Sequence, residues 1–161
     1  MNLDKLFDHG KTMAKEVFDK DGMLHPCWII ETANGDVLPL VVPQGAMGNK
    51  EQVAAGVAQT MMQCNAIRYV CILEAWCVIG QSEREMKEVM ANMDEVPIRE
   101  HPKRIEVVHI MAEDKHHVMS GHYRIMRPKN GKPYLSKFKI EENDHAEGRF
   151  CNLLADGTAI N

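Results

Sequence analysis

The sequence predicts a single α+β domain over residues 1–161, with a mainly antiparallel sheet of about six strands and two to three helices in the order α-β-β-α-β-α-β-β-β. Three observations carry that prediction. Three segments repeat apolar residues at helical spacing. β-rich runs lie between and after them, two pairs being joined at Asn-Gly steps. No repeat, linker or low-complexity tract divides the chain.

The first helix is read in "NLDKLFDHGKTMAKEVF", where Leu3, Leu6, Phe7, Met13, Val17 and Phe18 fall on one stripe. Gly22 suits its C-terminal cap. "CWIIETANGDVLPLVVP" then gives a hairpin, with Asn34-Gly35 expected in a type I′ turn. Pro39 has no N–H for a ladder, so the second strand is expected at an edge or a bulge. In "NKEQVAAGVAQTMMQC" the helical series are Val53, Val57, Met61 and Ala54, Ala58, Met62, with Asn49 and Gln52 as a capping pair.

"RYVCILEAWCVIG", residues 68–80, has apolar residues at both parities. That is expected of a central strand covered on both faces. "SEREMKEVMANM" is a short acidic helix, capped by Ser82 with Glu85 and striped by Met86, Val89, Met90 and Met93. A proline-containing loop, "DEVPIREHPKR", leads to the strand "RIEVVHIMAED". A second hairpin is expected around Asn130-Gly131, its last strand placing Tyr134, Ser136, Phe138 and Ile140 opposite Leu135, Lys137 and Lys139. Residues 141–161 read as a loosely ordered acidic tail, a weakly patterned loop with room for short order.

Composition narrows the function classes. A formal net charge of −4 gives no whole-chain footprint for nucleic acid. No run approaches a membrane span of ~20 apolar residues, and the acids of "MNLDKLFDHG" are unlike a secretory leader. Five cysteines, an odd number with no Cys-x-x-Cys, are expected to be free thiols. The expectation is a soluble cytoplasmic protein with no membrane partner. Twelve methionines are read mainly as core filler, with adaptable contact surface as the other use. No Walker loop, Rossmann fingerprint, Gly-x-Ser-x-Gly elbow or kinase signature occurs.

Three constellations can carry chemistry. Glu74 sits within the most apolar strand, and a buried carboxylate must be neutral, hydrogen-bonded, paired or metal-bound. A scaffold ion pair is the plainer account, and a functional acid the sharper one. Second, "VVHIMAEDKHHVMSGH" holds His109, Glu113, Asp114, His116, His117 and His122. His109, Glu113 and His122 form a candidate divalent-metal set if the chain reverses between them. Glu74, Glu113 and Asp114 are the candidate catalytic carboxylates. A histidine-rich exposed turn is the preferred account, and no cofactor is firmly expected. Third, Arg124, Arg127, Lys129, Lys132, Lys137 and Lys139 make a basic hairpin with no acid between them. It is a candidate surface for nucleic acid or a partner, weighed against lysines that simply protect a sheet edge.

The strand "IRYVCILEAWCVIG" and the segment "REHPKRIEVVHIMAED", preceded by "HPCWIIETANGDVLPL", resemble small uncharacterised proteins of phages and bacterial mobile elements. Those share a Glu-Ala-Trp strand, a Glu-His-Pro-x-Arg loop and a strand ending in Ala-Glu-Asp; the resemblance spans roughly residues 25–115. It implies a context and no activity. It also suggests one polar cluster of Glu74, Trp76, Glu100, His101, Arg104, Glu113 and Asp114, with Arg104 forking onto Glu74 or Glu106.

Three functions are therefore carried forward. The first is a non-enzymatic factor that binds a host protein, blocking a defence or replication function, with self-association into a homodimer as a further expectation. The second is a metal-dependent hydrolase or nuclease built on the His/Glu/Asp cluster. The third is nucleic-acid binding through the basic hairpin.

Overall fold

The computed structural model describes residues 1–79, 82–93, 95–142 and 149–154. The elements are α1 (Leu3–Asp21), β1 (Cys27–Thr32), β2 (Val37–Val41), α2 (Lys50–Gln63), β3 (Ala66–Cys77), α3 (Glu83–Ala91), β4 (Ile105–Asp114), β5 (Val118–Met126), β6 (Tyr134–Leu135) and β7 (Lys139–Glu141). The strands form one antiparallel sheet in the order β2-β1-β3-β4-β5, and both β6 and β7 pair with β5. The predicted α+β order and architecture are those of the molecule.

Each α-helix begins at a side-chain cap. Asn2 Oδ1 accepts from Lys5 N at 2.9 Å, Asn49 Oδ1 from Gln52 N at 3.1 Å, and Ser82 Oγ from Glu85 N at 3.2 Å. Each satisfies a donor that a helix N-terminus leaves unpaired. At the other end of α1, Gly22 N donates to Phe18 O at 2.7 Å with φ at 70°.

The sheet has a core on each face. On one side α1 buries Leu6, Phe7, Ala14 and Phe18 against Val70, Ile72, Val108 and Ile110. On the other, Val57 and Met61 of α2 close over Trp28, Tyr69, Cys71 and Met111. Full burial of such a side chain contributes about 1.5–3 kcal/mol, so two independent cores secure the centre of the sheet. β3 lies between β1 and β4 and is the predicted interior strand. β2 is an edge strand, and its Pro39 faces no ladder on the outer side. No disulfide joins the five cysteines.

Two local expectations, the first and third below, are corrected, and two are filled in. First, only Gly35 takes a positive φ in the β1–β2 turn (86°), and its N–H donates to Thr32 O at 2.9 Å. A type I′ turn needs positive φ at both central residues, so this is instead a three-residue loop closing on a left-handed glycine. Second, the hairpin expected around Asn130-Gly131 forms, β5 pairing with β6 at Met126 and Tyr134 across a longer loop in which neither Asn130 nor Gly131 has positive φ.

Third, the last strand breaks between β6 and β7. Leu135 is buried and Phe138 packs on the same core, although their parities differ. Ser136 causes the break: its backbone N–H donates to Arg124 O at 2.9 Å, while its hydroxyl, not a carbonyl, accepts from Arg124 N at 3.1 Å. The slip lets Phe138 lie across Gly121, where a Cβ would stand 2.5 Å from the Phe138 ring and 2.6 Å from Lys139 O. Fourth, the acidic tail is partly docked. Glu141 belongs to β7, and Phe150 to Leu153 lie against the sheet, Phe150 meeting Trp28 with ring centroids 5.3 Å apart. Residues 143–148 and 155–161 of that tail lie outside the described residues.

Candidate functional site

The antiparallel register of β4 and β5 places His109 directly opposite His122, as the candidate metal set requires. Glu113 does not join them. The carboxylate that does is Glu141 of β7, which pairs with Ser120. Glu141 Oε1 lies 2.8 Å from His122 Nδ1, and Oε2 lies 3.4 Å from His109 Nε2 and 3.1 Å from Ser120 Oγ. Hydrogen bonding to His109, against the opposing push of partial burial, and then to His122 and Ser120 holds the Glu141 carboxyl down to about 2. An ionised carboxylate thus ties three strands together. Among the described residues, no group of three or more His, Cys, Asp or Glu is arranged to hold a metal ion.

Among the described residues, that cluster also holds no activated nucleophile. The Ser120 hydroxyl donates to the carboxylate itself. Cys77 lies on the same side of the sheet, near enough to feel both Glu141 and Arg124, and burial pushes its thiol up rather than down. A thiolate is the reactive form. What remains is a buried His122 fixed by an acid, which is a positioning arrangement.

Glu113 is turned to a different task. Its buried carboxylate accepts from Tyr69 OH at 2.6 Å and from Asn152 N at 2.9 Å, and Tyr69 OH also reaches Phe150 O at 3.2 Å. Burial, then the Glu113 contact, push the Tyr69 phenol up, so it stays a donor. The pair fastens the 149–154 segment to the sheet. Asp114 next to it accepts from His116 N and His117 N, both at 2.8 Å. Burial pushes its carboxyl up, but those two amides outweigh it and leave it lowered. It organises the β4–β5 turn. His116 and His117 are exposed on that turn.

Glu74 lies on the opposite face from Glu113, since it pairs with Val108 and Glu113 with Tyr69. The expected fork from Arg104 is replaced by other partners. Glu74 Oε1 accepts from Leu24 N at 2.7 Å. Arg104 instead stacks over Trp76, its guanidinium carbon 5.2 Å from the ring centroid, and donates to His101 O at 3.1 Å. Glu106 takes a two-pronged contact from Arg127 at 2.5 and 3.3 Å. The seven-residue polar cluster is therefore divided: Trp76, His101 and Arg104 stand near the start of β4, while Glu113 and Asp114 stand at its end. Ten residues of strand separate them by ~30 Å.

The six basic residues are all exposed. Arg127 is neutralised by Glu106, Arg124 lies in the ladder on the face of His122, and Lys129 and Lys132 occupy the β5–β6 loop. They do not converge on an aromatic platform; Phe138 is spent inside the core between Phe7 and Tyr123.

A surface that the sequence did not announce lies beside Trp76. No residue of α3 is buried, although its stripe of Met86, Val89 and Met90 has the helical spacing of a core-facing side. Met90 is 58% exposed, Ile79 51% and Trp76 43%. Trp76 lines a cleft of about 700 Å³ whose walls also include Leu73, Met93, Ile98 and Phe150. The readable signal was a methionine-rich stripe on a helix only nine residues long, since methionine suits adaptable contact surfaces.

No helix among the described residues is long and apolar enough to cross a membrane. No protein-family model matches this chain, and neither a curated protein nor a solved structure does.

Proposed function

We propose that this chain is a non-enzymatic binding protein of a phage or mobile element whose partner is a protein of the host. The supporting observation is the set of exposed large apolar side chains on α3 and its flanks, Trp76, Ile79, Met90, Met93 and Val96, each 39% exposed or more. Apolar residues scattered singly over a surface need no account, but a run of large ones on one short helix and its flanks marks an interaction site. The motifs shared with phage and mobile-element proteins supply the context. The chemistry of the polar clusters agrees: Glu141 and Glu113 fasten strands and tail, and neither faces an activated nucleophile. The metal-dependent reading loses Glu113 from its ligand set, and the nucleic-acid reading loses Arg127 to Glu106.

The test is co-elution. Purified protein is mixed with lysate of its host and fractionated by size, with the Met90→Asp/Met93→Asp variant in parallel. The reading expects one stoichiometric partner with the parent and none with the variant. A parent that elutes alone while folded and abundant contradicts it. A shift caused by a second copy of the chain, seen by light scattering with no lysate present, replaces the host partner with a homodimer.

A further inference from the structure

We infer that the partner engages the cleft beside Trp76 through an acidic amphipathic segment, its apolar side chains seated between Trp76, Met93 and Ile98 and its carboxylates meeting Lys50 and Arg99. This rests on the protein-binding reading above and adds the chemistry of what is bound.

The apolar part follows from the lining. Leu73, Met93 and Ile98 are aliphatic, and Trp76 and Phe150 close the sides. A cleft of about 700 Å³ is the size that takes a few large side chains. Such grooves recognise amphipathic helices through anchors at one-turn spacing.

The charge of the rim points to acids. Among the described residues, Lys50, Arg99 and Arg149 line the cleft against one carboxylate, Glu74. Glu74 already accepts the Leu24 N–H. Arg149 is held at 2.6 Å by Glu51. Among the described residues Arg99 pairs with Glu100 alone, at 3.7 Å with both side chains more than 60% exposed, and such a contact is worth little. No ion pair to Lys50 occurs among the described residues. Arg104, stacked on Trp76, adds a further cation at the same end. This local excess stands on a chain of net charge −4, so the field draws an acidic segment to the cleft and away from the rest of the surface. A nucleic-acid strand is the weaker fit, because Trp76 already carries Arg104 on its ring, Phe150 packs against Trp28 and Glu74 would face its phosphates.

A displayed library of random peptides of about 12 residues is selected against the immobilised full chain, and winners are titrated against the parent and the Lys50→Glu/Arg99→Glu variant. The expected winners combine two or more large apolar residues with an excess of Asp and Glu. They bind the charge-reversed protein at least about tenfold more weakly, and added salt weakens their hold on the parent. No enrichment, enrichment of neutral or basic sequences, or affinity indifferent to the reversal overturns the inference. So does tighter binding of an oligothymidine of similar length. Should the reversed variant fail to fold, Lys50→Gln/Arg99→Gln takes its place, with a smaller loss expected in the same direction. If the host protein co-elutes with parent and charge-reversed chain alike, the acidic segment is wrong and the binding function stands; if it co-elutes with neither parent nor variant, both fall.

Discussion

Glu141 reaches from β7 to place one carboxylate oxygen 2.8 Å from His122 Nδ1, while its other oxygen stands 3.4 Å from His109 Nε2. One acid thereby holds an edge strand to two inner ones. Its carboxyl is held at about 2 in the folded chain against an ordinary value of 4.5. Between those values the unfolded chain binds a proton that the folded chain refuses, so stability falls as pH falls. The contribution is complete above about 4.5 and is lost as the pH drops through about 2. Urea midpoints at pH 5 and pH 3 should therefore fall further for the parent than for Glu141→Gln. Equal losses would show that the carboxylate is not so held.

Phe138 crosses Gly121 in van der Waals contact with Phe7 and Tyr123. A methyl at position 121 would meet the ring at 2.5 Å and the Lys139 carbonyl at 2.6 Å, and the backbone oxygen cannot step aside cheaply. Gly121→Ala is expected to destabilise the fold by about 1–3 kcal/mol. Hydrogen exchange should place the loss in β6 and β7, with the β1–β3 ladder unchanged.

Glu113 accepts from Tyr69 OH and Asn152 N in a buried site. Truncation to alanine leaves both donors without that acceptor, at a cost of about 2–3 kcal/mol. Because Tyr69 and Glu113 share one bond, Tyr69→Phe combined with Glu113→Ala should cost less than the sum of the two. Urea unfolding of the four proteins measures the coupling. Additive losses would mean that the carboxylate serves Asn152 alone.

Much of this architecture is legible in the sequence, for identifiable reasons. Helix caps are local: Gly22, Asn49 and Ser82 act on residues three or four positions away. The interior position of β3 follows from apolar residues at both parities, as does the edge position of β2 from Pro39. The two histidines were correctly brought together, because strand reversal fixes their register. Their acid was not, because Glu141 arrives on a strand whose parity is broken by the Ser136 hydroxyl. Glu74 escaped for a different reason. Its partner is the backbone N–H of Leu24, fifty residues away, and a main-chain donor has no letter in a sequence. The α3 stripe reads as core by period alone; only the fold shows that none of its residues is buried.

α3 can therefore be changed without disturbing the rest. Met90 is 58% exposed, and no residue of that helix is buried. Met90→Asp is expected to alter stability by no more than about 0.5 kcal/mol. The comparison is a core change such as Ile110→Ala, where full burial predicts a loss of about 2–5 kcal/mol. Thermal unfolding of the two variants separates a surface residue from a structural one.

Site-specific photo-crosslinking inside the host cell bears most directly on the claim that the Trp76–α3 face is where this chain meets its partner. A photoreactive side chain at Met90 should give one discrete heavier adduct, and the same group at Lys129, in the β5–β6 loop, should give none. Adducts from Lys129 alone, or from neither position with the protein folded and abundant, would contradict it.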